Sequence, residues 1–242
     1  MKKIVLLFFW LSLTLLIFQK AEAQKSNQGI RIGLKLPYSY DFGYYQRVSP
    51  RFGYHFGAQF ITIPFAKYPI NAMNFWGADP EITAILEYPF TLGTGLDIGA
   101  QYHFGTDSRR YYFSLSFQWM TLLRKDIDDE VINEAFDIDI TNSGKYPIGP
   151  ISKSQSTRPL TISSNYSNLG IAFGKIIPLQ SHDRELKIEI ALAKTLFSHF
   201  RLQSDYRYLS TVSDMTNDAL QKTFWKYGWF PTINVYYLFI KG

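Results

Sequence analysis

From Thr91 to Leu123 the side chains alternate in character with a period of two, and no other stretch restricts the fold so tightly. Leu92, Leu96, Ile98, Ala100, Tyr102 and Phe104 fall on one face, and Gly93, Gly95, Asp97, Gly99, Gln101 and His103 on the other. A polar turn over Gly105 to Arg109 follows, after which Tyr111, Phe113, Leu115, Phe117 and Trp119 oppose Ser114, Ser116 and Gln118. Successive side chains of a strand point to opposite faces of its sheet, so this period predicts two antiparallel strands joined by a short turn. A water-facing sheet surface is made of Lys, Glu and Thr. Here the polar face holds Gly, Ser, Gln, Asp and His, and the apolar face ends in aromatic rings. Such a hairpin suits a bilayer, with its oily side toward lipid and its small, polar side toward a narrow lumen.

The N-terminus agrees with export. Lys2 and Lys3 precede an apolar run from Ile4 to Phe18, and Ala21-Glu22-Ala23 gives a small-x-small cleavage site before Gln24. Together they predict a signal peptide for the Sec pathway over residues 1–23 and a mature barrel domain over 24–242. An uncleaved anchor is the alternative, but the run is shorter than the roughly 20 residues a spanning helix needs. The chain has no cysteine, which excludes disulfides, thiolate metal sites and lipid attachment through a lipobox cysteine. No later segment is apolar enough for a transmembrane helix. A chain without one crosses lipid by closing a barrel, because lipid leaves no backbone group free to go unpaired. The net charge of +5 includes Lys2, Lys3 and Lys20 of the leader, so the mature chain is only mildly basic and nothing in it points to nucleic acid.

The remaining strands follow the same rule. Ile30, Ile32, Leu34 and Leu36 alternate with Arg31, Gly33 and Lys35, and beyond Pro37 a short second strand has Tyr38, Tyr40, Phe42 and Tyr44 on one face. After a turn at Arg47 to Arg51, Phe52, Tyr54, Phe56, Ala58 and Phe60 oppose Gly53, His55, Gly57 and Gln59. The connection from Phe65 to Phe90 has a helix start at Asp79-Pro80, and the hairpin above supplies strands four and five. Arg124 to Ile162 is a long excursion, acidic first and later rich in Pro, Gly and Ser. Strand six covers Ser163 to Ile176. Strand seven turns Leu186, Ile188, Ile190 and Leu192 outward against Lys187, Glu189, Ala191 and Ala193. A connection from Phe200 to Gly228 holds a helix from about Thr216 to Lys226, and strand eight runs from Trp229 to Ile240, with Ile233, Val235, Tyr237 and Phe239 outward and Thr232, Asn234 and Tyr236 inward. The count is eight strands, or ten if Ile61 to Phe75 supplies another. Turns after strands two, four and six are short and the connections after three, five and seven are long, the asymmetry of periplasmic turns and extracellular loops. By parity Tyr54, Tyr102, Tyr111 and Tyr237 face lipid at the periplasmic end, and Trp119 and Trp229 at the outer end, as two interfacial girdles.

Over its whole mature region the chain resembles the small eight-stranded outer-membrane barrels, the outer membrane protein A/X-like superfamily. Its closing segment Ile233-Asn234-Val235-Tyr236-Tyr237-Leu238-Phe239 is similar to the C-terminal signal read by the barrel-assembly machinery, although the chain ends in Ile240-Lys241-Gly242 and not at the aromatic. The resemblance implies an all-β, antiparallel transmembrane barrel in the outer membrane of a Gram-negative cell envelope. It implies outer-membrane lipid and lipopolysaccharide as surroundings and the assembly machinery as a partner during biogenesis. These motifs specify a class and no activity.

Inside the expected barrel, parity places Arg31, Lys35, Asp41, His55, Gln59, Asp97, Gln101, His103, Gln118, Lys187, Glu189 and Asn234. The interior of eight strands is just wide enough for side chains to fill it, which favours a satisfied polar plug over a porin-like conduit or proton-linked site. The one group with catalytic ingredients is Ser198-His199 with Ser204-Asp205, at the outer end of strand seven. Outer-membrane barrels acting on lipid A acyl chains use Ser, His and an acid near the outer leaflet. A nucleophile must reach its base, and strand neighbours point to opposite faces, so Ser198 and His199 cannot pair while the strand stays regular. Ser204 or Asp205 reaches His199 only through a loop reversal, and these three residues stay weak candidates. Asp126 to Asp139 lacks the alternating ligands and central glycine of a calcium loop. Ile127, Val131, Ile132, Ala135 and Phe136 fit a short amphipathic helix instead, so neither a metal nor a cofactor is expected. Arg124, Lys125, Arg158, Lys194, Arg201 and Arg207 ring the outer rim, where pairing with lipopolysaccharide phosphates and ordinary surface charge are both open.

The favoured expectation is a non-enzymatic barrel whose long loops form an extracellular cap that binds a partner protein or surface ligand, including as an accessory subunit of an envelope complex. Apolar helical stripes at Ile127 to Phe136 and at Leu220, Phe224 and Trp225 motivate it, because exposed apolar faces need a cover. The two stripes can equally cover one another. The alternatives are an outer-leaflet lipid A acyl-modifying enzyme using His199 and passive transport of a small solute.

Overall fold

Residues 28–87, 89–105, 110–127, 160–179, 184–203 and 210–241 are described by a computed structural model. Its strands are β1 (Gln28–Leu36), β2 (Ser39–Arg47), β3 (Phe52–Ile61), β4 (Gly93–Phe104), β5 (Tyr111–Ile127), β6 (Leu160–Pro178), β7 (Arg184–Gln203) and β8 (Trp229–Lys241). Each pairs antiparallel with the next, and β8 returns to β1 in nine partner pairs from Gln28↔Lys241 to Leu36↔Ile233. The sheet is a closed barrel of eight strands. Closure removes both sheet edges over the stretch where all eight strands pair, and β5 and β7 run beyond their β4 and β8 partners at the long-connection end.

The ten-strand count fails at Ile61. Two prolines, Pro64 and Pro69, remove amide donors a ladder would need, and Pro69 sits where a helix tolerates it, in the first turn of α1 (Tyr68–Phe75). Helix α2 (Pro80–Ala84) starts where the sequence places it, with Asp79 Oδ1 accepting from the Glu81 amide at 3.0 Å. Helix α3 (Ser210–Tyr227) begins six residues before the expected start. No helix among the described residues is long and apolar enough to cross a membrane.

The period-two faces sort as parity requires. Ile98, Phe113, Leu115, Ile171, Ile190 and Ile233 are exposed on the outer wall, while the inward positions carry buried polar and charged side chains. This is the reverse of a water-soluble barrel. Two features depart from expectation. Tyr38 is not on the outer face of β2; it sits in the β1–β2 turn and is buried. The strands β5, β6 and β7 are also longer than the apolar pattern indicated, at 17, 19 and 20 residues against 9 or 10 in β1 to β3. The observed β6 starts at Leu160, three residues before the expected Ser163. The added residues are held by ladder pairing, Thr161 to Asp126 and Gln203, and Ile162 to Lys125 and Leu202.

Candidate functional site

The lumen is filled from its own wall. Arg31, Lys35 and Lys187 bring three positive charges, and Asp41, Asp97 and Glu189 three negative ones, all buried. Arg31 lies on β1, whose inward positions alternate with exposed, outward isoleucines, and it forks onto Asp41 of β2, with Nε–Oδ1 at 2.8 Å and Nη2–Oδ2 at 2.9 Å. The same guanidinium reaches Asp97 of β4 at 3.0 Å, where the Lys35 ammonium also donates at 3.0 Å and His55 Nε2 stands at 3.3 Å. Deeper toward the short turns, Lys187 donates to Gln101 Oε1 at 2.8 Å, and Glu189 accepts from Tyr112 at 2.8 Å and from Asn234 at 2.9 Å. His103 contacts the Tyr45 hydroxyl at 3.1 Å. Buried charges are tolerated when they are paired or hydrogen-bonded, and each of these six has at least one such contact. A cavity beside Lys35, His55, Asp97, Gln118 and Glu189 measures about 20 Å³. That is the scale of a single water molecule, about 10–15 Å³, and well below a solute path.

Sequence reasoning placed Arg31, Lys35, Asp41, His55, Gln59, Asp97, Gln101, His103, Lys187 and Glu189 inward, and the structure has all ten buried on the lumen side. The parity of strand eight turns Tyr236 inward as well, whereas the inward rings of Tyr45 and Tyr112 were not anticipated. Tyr236 lies under the Arg31 guanidinium at 4.5 Å, and Tyr45 under the Lys187 ammonium at 3.4 Å. The signal for these rings is a glycine in register. Gly33 pairs with Tyr236 and Gly174 with Tyr112, and a Cβ at either glycine would come within 2.2 and 2.4 Å of the ring. Small residues face large ones across the ladder, so the rings lie flat along the wall.

Above the lumen the outer mouth is stopped by an apolar core. Phe224 of α3 stacks on Phe90 at 6.1 Å and meets Phe200 of β7 at 5.0 Å and Tyr166 of β6 at 5.5 Å. Met73, Ile85, Leu86, Leu220 and Phe230 complete it. The helical stripe at Leu220 and Phe224 is therefore covered by the β3–β4 connection. The other stripe, Ile127 to Phe136, lies almost wholly outside the described residues. Tyr38 and Tyr166 join hydroxyls at 2.7 Å beneath this core, and Asn168 donates to Tyr38 at 3.3 Å. Burial pushes the Tyr38 hydroxyl above the ordinary tyrosine range and that of Tyr68 up to about 12, so both stay protonated and able to donate.

The remaining candidates are scattered. A one-residue bulge at Leu196, where Thr195 pairs with Asn168 but Phe197 with Ser167, reverses the parity of β7. Phe200 and Ser198 consequently turn in and His199 turns out to an exposed position. Ser198 and His199 lie on opposite faces; Ser204 and Asp205 are outside the described residues. So are Arg158, Arg207 and Asp128 to Asp139. Among the described residues no group of three His, Asp or Glu side chains is placed to hold a metal ion. Tyr54, Tyr102, Tyr111 and Tyr237 sit outward near the short turns, and Trp229 opens β8 at the other end. Trp119 pairs with Leu96 near the outer end of β4, although β5 itself continues to Ile127.

No protein-family model matches this chain, and no curated protein does. Among solved structures it is similar to CarO2 of Acinetobacter baumannii, at 12% identity over 89% of this chain and 98% of that one, with a TM-score of 0.38. CarO of the same organism shares 10% identity over 89% and 97%, with a TM-score of 0.35. A major outer membrane protein of Thermus thermophilus shares 9% identity over 90% and 100%, with a TM-score of 0.43.

Proposed function

We propose that this protein is a closed outer-membrane barrel that serves as an anchor, and that its extracellular cap binds a partner protein or surface ligand without catalysis. The observation that carries this reading is the double seal: a charge-balanced lumen with a cavity the size of one water, below a mouth stopped by aromatic side chains. The apolar outer wall is suited to lipid, and the short turns at one end against long connections at the other support reading the long-loop end as the extracellular one. A bore filled in this way has little to offer a solute. The cap has more to offer a partner, since a rigid scaffold presenting long loops is the usual place for recognition. Helix α3 of the cap leaves Met215, Asp218 and Lys222 exposed on the side away from Phe224.

The test is photo-crosslinking in intact cells from a reactive residue placed at Asp218 or at Lys222. A single product of fixed mass, retained after detergent extraction and lost when Met215 is changed to Asp, is expected. Recovery of the uncrosslinked barrel alone from both positions overturns the cap as a receptor.

A further inference from the structure

We infer that the cap is seated in the outer leaflet on one side, where Phe75, Trp76, Trp225 and Trp229 form one lipid-facing surface above the β7–β8 seam. This rests on the membrane-spanning reading above. Trp229 is the first residue of β8 and points outward, with Pro231 and Ile233 continuing the exposed wall below it. Trp76, at the end of α1, donates its indole N–H to the Trp229 carbonyl at 3.0 Å, and the Phe75 ring meets Trp76 edge-on at 5.1 Å. Tyr68 donates to the Pro231 carbonyl. Helix α1 is thus fastened to the top of β8, with Ile70 and Met73 in the core that stops the mouth.

On the other flank, Lys194 of β7 is the ladder partner of Trp229 and its ammonium stands 4.7 Å from that ring and 5.9 Å from Trp225. Lys194 also donates to the carbonyls of Trp225 and Lys226, the last turn of α3. A cation at those unpaired carbonyls caps the helix and opposes its dipole. Lys194, which the sequence places among the rim charges, is therefore occupied in clamping α3 to the wall.

The rings themselves are left open. Phe75 is 80% exposed, Trp225 61%, Trp76 44% and Trp229 38%. The polar atoms that would make this surface wet are already satisfied, the Trp76 N–H by a carbonyl and the Lys194 ammonium by two. What remains is aromatic, and it adjoins the apolar wall at Trp229. Lipid is the occupant this continuity selects, because indole rings favour the boundary between chains and headgroups. The exposed Lys226, its ammonium 4.8 Å from the Tyr227 ring, marks the polar side of the boundary where headgroup phosphates lie. The cap is held at a fixed tilt, and a partner is met by its opposite side.

The experiment is fluorescence of single-tryptophan proteins, each keeping Trp76, Trp225 or Trp119 and carrying phenylalanine at the other positions, in phosphatidylcholine vesicles brominated near the headgroup end of the acyl chains. Trp119 reports the barrel wall. Quenching of Trp76 and Trp225 to within a factor of about two of Trp119 is expected for rings at the interface. Trp119 quenched with Trp76 and Trp225 unaffected overturns the seating of the cap while the spanning barrel stands. All three unaffected, in protein that retains its folded mobility on gels, removes the spanning reading itself. Shielding of Trp76 and Trp225 only in native membranes with a co-purifying protein assigns the surface to that protein and also overturns the inference.

Discussion

Asp97 is the residue on which the lumen turns. It accepts from Arg31 and Lys35 through one oxygen and stands beside His55, so side chains from two neighbouring regions of the wall converge on a single carboxylate. Removing one partner of a buried charge cluster leaves the others uncompensated in low dielectric. Asp97→Ala is therefore expected to cost about 3–5 kcal/mol, read as a lower urea midpoint for unfolding from lipid vesicles. An unchanged midpoint would mean that bulk water reaches Arg31 and Lys35, and the seal would then be wrong. The ionic residues here were legible from parity alone. Their pairing was not, because Arg31 and Asp97 are 66 positions apart and meet only when the barrel closes.

At the scale of elements, α3 is tied to the barrel by two unlike contacts, the apolar core at Phe224 and the clamp at Lys194. Phe224 is fully buried among Phe90, Tyr166 and Phe200. Phe224→Ala is expected to cost the cap about 3–5 kcal/mol through the cavity it leaves. Limited proteolysis should then cut between β7 and β8 at protease levels that spare the parent, while the barrel keeps its heat-modifiable mobility. Loss of the barrel together with the cap would show that the two cores are one cooperative unit. Apolar positions of α3 were visible from the sequence as a stripe. That they would face the β3–β4 connection, and not a partner, depended on the bulge at Leu196 that turns Phe200 inward to meet them.

For the whole molecule, the lumen and cap together predict electrical silence. Reconstituted into planar bilayers, the protein is expected to show no unitary conductance, and Phe224→Ala is expected to stay silent too, because the ion-paired lumen remains below the loosened cap. Stepwise conductance in the parent would overturn the anchor reading. Conductance confined to the variant would place the seal in the cap alone.

Strand faces and the ionic side chains of the lumen were fixed locally, since a period of two reports which way each side chain points wherever the chain ends up. Eight strands, and not ten, follow once β8 is seen to pair back onto β1. Tertiary structure decided the rest. Strands β5 and β7 run on to Ile127 and Gln203, past where the connections were expected to begin, because each is paired with β6 there. Inward Tyr45 and Tyr112 fall outside the polar lumen expected from parity, and Tyr112 fits because Gly174 stands across the ladder from it. A single inserted residue at Leu196, invisible in composition, sends His199 out and Phe200 in, so the direction of a residue past a bulge is a property of strand pairing and not of the strand.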